Sequence, residues 1–396
     1  WWNGEGAAMT MAEGDLAVTE LRFVRSQFLG PQPPPARMTG AVAWVRANLL
    51  STPSNIALTV VVLALVVWIL YGVIGFLFVD AVWTGSDRTA CLMSTVHHEV
   101  GACWPFVKDR LAYFTYGSYP IPQRWRVDLF FALLAVGVVW LLWLRAPRRD
   151  LGILYFFIVL PIVSFILLHG FAAIDLPVVD TVLWGGVLVT IVLATVGIVV
   201  SLPIGVVLAL GCRSRMPMVR LFSTVFIEFV RGVPLITVLF MASVMLPLFV
   251  PQQYEPDKLV RAMIGIALFA SAYMAEVVRA GLQAISKGQY EGAMAVGLSY
   301  PLMMRFIILP QALRITIPNI VNTYIGLFKD TTLVTIIGIF DLLHTIEVSR
   351  IDPKWATPVT STTGYAVAAI FYLIFCYGMS RYARATEARL RKGDKK

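Results

Sequence analysis

Charge is what this chain has least of. Only 14% of its 396 residues are Asp, Glu, Lys or Arg, against 58% that are hydrophobic, whereas a soluble globular domain carries roughly 25% charged residues. That shortage excludes a soluble enzyme, a disordered regulator and a nucleic-acid-binding domain. No G-x4-G-K-[ST] phosphate loop occurs, so the chain has no P-loop ATP site of its own. The H-E-x-x-H zinc motif and the G-x-S-x-G nucleophile elbow are missing as well. With a mean hydropathy of +0.77, what remains is a multispanning, all-α membrane protein.

A helix crosses the hydrocarbon core with about 20 mostly apolar residues. Eight stretches qualify: 56–79, 129–144, 151–171, 183–210, 233–250, 259–277, 315–339 and 364–379. With the N-terminus inside, segments 1–55, 145–150, 211–231, 279–314 and 380–396 hold 22 of the 32 basic residues. This satisfies the positive-inside rule and makes the net charge of +9 a topology signal rather than the mark of a nucleic-acid partner. Both termini are expected in the cytoplasm. Residues 1–6 contain no Met, and Met9 or Met11 is the expected natural start. Pro31, Pro33, Pro34 and Pro35 read as a linker. Segment 41–50, with Val42, Trp44, Val45 and Leu49, reads as lying along the inner membrane face.

Cysteine is scarce too. Of the four, Cys212 and Cys376 fall at or within spans and read as packing residues. Cys91 and Cys103 share loop 80–128 on the outer side, where disulfides persist. A bridge bracing a small cap is the expectation; free thiols, or a zinc site with His97 and His98, are the alternatives.

The most informative stretch runs over 273–310. Glu291-Gly292-Ala293 is followed after three residues by Gly297, then after nine more by Ile307-Ile308-Leu309-Pro310. Residues 289–296 are mostly good helix formers, with Gly288 and Gly297 as breaks on either side. A short helix projecting from the membrane can enter a groove on a partner. Glu291 would offer a carboxylate, Ala293 and Gly297 would permit close approach, and Pro310 would end the loop and start the return to the membrane. The pattern resembles the EAA loop of ABC-importer permeases (E-A-A-x3-G-x9-I-x-L-P), departing only at Gly292. F-I-E-F-V-R-G-V-P-L at 226–235, A-Y-M-A-E-V-V-R-A-G at 272–281 and K-D-T-T-L at 329–333 look like signatures of polar amino-acid permeases of the histidine/glutamine branch. G-A-C-W-P-F at 101–106, Tyr119-Pro120 and three added spans look like the M-type subunit of general L-amino-acid importers, the Aap and Bzt systems.

The resemblance implies a type I ABC-importer permease fold with about eight transmembrane helices, three accessory and five core. Its expected organisation is a cytoplasmic segment 1–50, accessory helices 51–171 with the periplasmic loop 80–128, a core 172–385 carrying the coupling loop 288–310, and a basic tail 386–396. The expected function is the permease subunit of a binding-protein-dependent L-amino-acid importer in a bacterial inner membrane. The chain itself is then neither an enzyme nor a cofactor protein. ATP and Mg would sit on a separate cytoplasmic ATPase dimer, docked on Gly288, Gln289, Glu291, Gly292, Ala293, Gly297, Leu298 and Ser299, with Pro310 closing the loop. A second permease, related rather than identical, and a periplasmic amino-acid-binding protein complete the expected partners.

Ionisable groups inside a span cost about 2.5–3.5 kcal/mol on insertion scales and need a reason. Glu228 and Arg231, and likewise Glu276 and Arg279, are spaced i, i+3 and can pair on one helix face. They read as a bracing or gating network, with a structural ion pair as the plainer alternative. Arg231-Gly232-Val233-Pro234 is the expected kink. Adjacent Lys329 and Asp330 point in different directions and need outside partners, which makes Asp330, Thr331 or Thr332 a candidate substrate contact. Within the importer reading the substrate range stays open, many amino acids or one such as glutamate or arginine, and two rival functions stand beside it. A secondary transporter predicts transport without an ATPase and internal inverted repeats, and none are visible. A membrane scaffold leaves the loop spacing unexplained.

Overall fold

Inside a bilayer a polypeptide satisfies its own backbone polar groups, and this chain does so with helices. The computed structural model describes residues 40–92, 100–143 and 148–393. The expected linker prolines, His97, His98, Lys395 and Lys396 lie outside them. Among the described residues there is no sheet, only three isolated bridges. The chain divides into two units, Trp1–Gly72 and Val73–Lys396. The first contains α1 (Ala41–Asn48), with Val42 and Trp44 exposed, and most of α2 (Pro53–Ile74), none of whose residues is buried. A helix apolar all round and uncovered suits lipid contact.

The second unit contains α3 (Trp104–Tyr116), α4 (Arg124–Leu142), α5 (Asp150–His169), α6 (Val187–Cys212), α7 (Pro217–Gly232), α8 (Leu235–Phe249) and α9 (Lys258–Ala284). After α10 (Lys287–Ala295) comes α11, which starts at Tyr300–Met303, passes a wide turn at Met304–Ile308 and runs on as Leu309–Asp330. α12 (Leu342–Ser349) and α13 (Pro358–Gly393) follow. Small residues let the long helices meet closely, the main packing device where lipid is as apolar as the side chains. A Cβ on Gly205 would lie 2.8 Å from Met274 of α9, and one on Gly281 of α9 would lie 2.8 Å from the Ala312 carbonyl of α11. One hydrophobic cluster joins Val127, Phe130 and Leu168 of the accessory helices to Leu188, Leu193, Ile266 and Leu327.

Among the described residues four helices carry a π-turn: one, at Gly75–Val79, ends α2, and the other three are each followed by Leu-Pro. The turns at Tyr155–Val159, Met241–Met245 and Met304–Ile308 close with Leu160, Leu246 and Leu309 donating five residues back, and Pro161, Pro247 and Pro310 come next. Proline has no N–H to give and its ring crowds the carbonyl four residues earlier. A wider turn at that point relieves the clash without ending the helix.

Of the eight expected spans, six stand as helices long and apolar enough to cross a membrane, and a seventh is the bent pair α7–α8, folded by 103°. The break falls at Val233-Pro234, the expected kink. Segment 211–231, expected as a loop, is largely helix α7, because Met218, Phe222, Val225 and Phe229 recur at helical spacing and form an exposed apolar stripe. The eighth, α11, has the length but not the composition, since Gln311, Arg314, Asn319, Asn322, Lys329 and Asp330 lie along it.

The described residues of 80–92 and 100–117 form a cap. Cys91 and Cys103 are joined with Cα atoms 5.9 Å apart, and Val82 pairs with Cys103 beside stacked Trp83 and Trp104. The cap is tied to residues far along the chain. Lys354 Nζ lies 2.9 Å from Asp109, Trp355 Nε1 donates to Asp109 at 2.8 Å, Arg110 pairs with Asp352, and the Cys103 amide donates to Thr363 at 2.9 Å. The hydrogen bond from Lys354 holds the Asp109 carboxyl below its ordinary pKa. A depressed carboxylate contributes stability above its unfolded pKa and loses it as pH falls through the folded one. We therefore expect the protection of amides in 104–117, taken relative to the intrinsic exchange rate at each pH, to be level above the ordinary pKa of 3.8 and to fall as the pH drops below it. Asp109→Asn should exchange faster at neutral pH and show a weaker acid dependence.

Candidate functional site

The 287–310 stretch is a helix–turn–helix held from one side. Ser286 is extended, and α10 starts at Lys287, so Gly288 lies inside the helix rather than breaking the chain before it. The end of α10 is fixed by Gly297 at φ 77°. The Gly297 amide donates to Met294 O at 2.9 Å and the Leu298 amide to Ala293 O at 3.2 Å, the reciprocal pair of a Schellman motif. Nothing in its own chain lies within 4 Å of where the Gly297 Cβ would be. Within the chain it supplies the left-handed conformation, which a side chain disfavours.

Ala293 is 2% exposed and sits in a cluster with Leu282, Met303, Met304 and Ile308. It is turned toward its own chain. One turn earlier, Arg213 Nη1 donates to the Tyr290 hydroxyl at 2.9 Å and to Leu282 O at 3.1 Å, tying α10 to the ends of α6 and α9. Gln311 Nε2 reaches Gln289 Oε1 at 3.0 Å. Sequence reasoning missed Arg213, Tyr290 and Gln311, because their spacing along the chain carries no helical or motif signal. On the opposite side Glu291, Gly292, Met294 and Val296 are exposed, as are Ser299 and Tyr300, while Leu298 is half-buried. Glu291 makes no ion pair among the described residues. Pro310 does not end the loop. The return begins at Ser299-Tyr300-Pro301, where Pro301 suits a first helical turn, and Pro310 lies further along the same helix.

The interior charges meet at the α7–α8 bend. Glu276 and Arg279 pair at 2.8 Å, as their spacing suggests. Glu228 and Arg231 do not pair. Arg231 turns across to Glu276 at 3.5 Å and lies over the Tyr273 ring at 5.7 Å, leaving Glu228 exposed. One carboxylate on α9 thus serves two guanidinium groups, because the bend brings the end of α7 against α9. Lys329 is exposed and Asp330 half-buried at the end of α11, and neither is in an ion pair among the described residues. Thr331 is wholly buried and its hydroxyl donates to Phe328 O at 2.8 Å, which removes it from contact with a ligand in this conformation. The Thr332 hydroxyl donates to Lys329 O at 2.9 Å.

The two glycines of the loop should therefore respond oppositely. Gly292→Ala, with open space around it, should stabilise α10 by about 0.5–1 kcal/mol. Gly297→Ala forces a side chain into the left-handed region and should cost about 1–3 kcal/mol locally. Amide exchange over 287–298 measures both: slower in the first variant, faster in the second.

Residues 201–392 match the family described as binding-protein-dependent transport system inner membrane component. The chain is 46% identical over 364 residues to the inner membrane amino-acid ABC transporter permease protein YhdY of Escherichia coli K12, covering 92% of this chain and 96% of that protein. It is 37% identical over 434 residues to the glutamate/glutamine/aspartate/asparagine transport system permease protein BztC of Rhodobacter capsulatus, covering 95% and 99% respectively. Against the glutamine permease relative GlnP of Bacillus subtilis, described there as probable, the match is 32% over 210 residues, covering 52% of this chain and 93% of that one. The long matches run through the accessory region as well as the core, and the chain belongs to the amino-acid ABC transporter permeases, membrane-embedded transport subunits whose ATPase is a separate protein.

Proposed function

We propose that this permease couples L-amino-acid import to a separate ATPase through the outer face of α10. The observation that carries the reading is the division of that helix. Ala293 and Tyr290 are fixed to the membrane helices, while Glu291, Gly292, Met294 and Val296 stand free. A helix fastened on one face and bare on the other can transmit a push; one that flexed on its own stem would dissipate it. Met294 and Val296 are 58% and 74% exposed, giving an apolar anchor beside one carboxylate, a combination that suits a groove with a basic rim.

In this reading ATP and Mg belong to the ATPase dimer, and this chain forms half of the path with a second, related permease. A periplasmic binding protein delivers the amino acid, and both termini lie in the cytoplasm. Displacement of α10 passes into α11 through their shared cluster. It reaches α9 at the Gly281–Ala312 contact, and Glu276 carries it to Arg231 at the α7–α8 bend. The bend is then the element with two arrangements. Asp330, with no ion-pair partner among the described residues, remains the residue in this chain suited to the ammonium group of an amino acid.

The test is the transporter assembled with its ATPase and binding protein. Glu291→Ala and Met294→Asp should each lower ATP-dependent uptake about tenfold or more, with amide exchange over 287–298 unchanged in the isolated permease. Unchanged uptake in both variants would contradict the coupling assignment.

A further inference from the structure

Helix α13 is 36 residues long, about 54 Å at the helical rise, against about 30 Å of hydrocarbon. Its apolar stretch ends at Met379, and the helix continues without a break. One side of it is used inside the molecule. Phe371 and Phe375 stack on Phe328 of α11 at 6.1 and 5.3 Å. Past the apolar stretch, Ala383 and Thr386 are still only 5% and 8% exposed. The extension is therefore packed rather than a free tail.

The opposite side is bare, and its chemistry changes where the apolar stretch ends. At spacings of three and four, Ile370, Leu373, Ile374 and Tyr377 are 41% to 65% exposed. Arg381 and Arg384 continue this stripe, both exposed, with the small Ala385 and Ala388 beside them and Arg389 on the edge. None of the three arginines is in an ion pair or a side-chain hydrogen bond among the described residues. The one acid over 380–390, Glu387, is half-buried and lies off the stripe.

Height decides what meets these arginines. Arg381 and Arg384 lie about 3 and 8 Å past Met379 along the axis, the depth of a headgroup layer about 5–8 Å thick. Helical side chains lean toward the N-terminus, here back toward the membrane. A long arginine stem then covers apolar surface while its guanidinium stays in the polar layer.

We propose that this side of α13 binds an anionic phospholipid of the leaflet that its C-terminal end reaches. One acyl chain lies along Ile370, Leu373 and Ile374, Tyr377 stands at the ester level, and the headgroup phosphate meets Arg381 and Arg384. Guanidinium groups suit phosphate in geometry as well as charge, and basic clusters just beyond a span attract anionic lipid. Neither protein alternative satisfies the whole stripe. A second permease would cover its apolar half, but a membrane helix with its carbonyls bonded internally brings no anion to the arginines. An ATPase outside the membrane would offer acids, but not reach Ile370 and Leu373.

The test uses the full chain with bimane on Gly378→Cys, where an added side chain meets nothing within 4 Å. Cys212→Ala and Cys376→Ala remove the free thiols. The protein is reconstituted in phosphatidylcholine, alone and again as the assembled transporter, with tail-brominated phosphatidylglycerol or phosphatidylcholine as quencher. Brominated phosphatidylglycerol should quench at about tenfold lower mole fraction than brominated phosphatidylcholine. Arg381→Gln combined with Arg384→Gln should bring that ratio close to one and leave quenching by phosphatidylcholine unchanged. In about 1 M salt the preference of the arginine-intact protein should shrink severalfold, an arm that needs no change at the arginines. Equal quenching by the two lipids would overturn the proposal, as would a preference that survives the double variant or high salt. Quenching lost on assembly would make this side of α13 a protein interface and overturn it too.

Discussion

The arrangement of this permease depends on how α10 is fastened. A nine-residue helix outside the membrane has little stability of its own. Here it is held by a buried alanine, by a tyrosine hydroxyl that takes the Arg213 guanidinium, and by a left-handed glycine that closes its last turn. Each attachment leads to a different partner: Ala293 to the start of α11, Tyr290 to the ends of α6 and α9, Gly297 to the turn before Tyr300. Fastened in this way, α10 reports the position of three membrane helices at once. Its free face can then serve a second protein without the permease reorganising to meet it.

The same logic extends to the bend between α7 and α8. A sharp break in a membrane helix leaves backbone groups that neighbours must compensate, and a charge beside it adds to the cost. Glu276, set between Arg231 and Arg279, lets one acid on α9 hold the end of the broken helix. The three Leu-Pro turns solve a milder version of the problem locally, by widening one turn and continuing. Among the described residues only α7–α8, where Gly232 precedes Val233-Pro234, breaks outright.

Much of this was legible in the sequence. Apolar runs located the membrane helices, Pro234 located the break, and i, i+3 spacing located the Glu276–Arg279 pair. The loop motif located α10 to within two residues. What the sequence did not carry was competition between elements. Glu228 and Arg231 have the same spacing as Glu276 and Arg279, yet Arg231 prefers a carboxylate on another helix, and only the bend makes that carboxylate available. Pro310 resembles a loop end because proline so often is one, but a π-turn lets the helix pass through it. The need of Gly297 for positive φ appears only once the helix before it has a defined end. Arg213 and Tyr290 lie 77 positions apart and meet only through packing.

The account stands most directly on α10 moving with the membrane helices as one body. Spin labels at Lys287, at the start of α10, and Ile315, both exposed, measure this by pulsed electron resonance in the assembled transporter. The distance between them should be the same without nucleotide and with ATP trapped on the ATPase, while the transporter changes conformation. A distribution that shifts or broadens with nucleotide would mean that α10 swings on its own stem, and the coupling described here would be wrong.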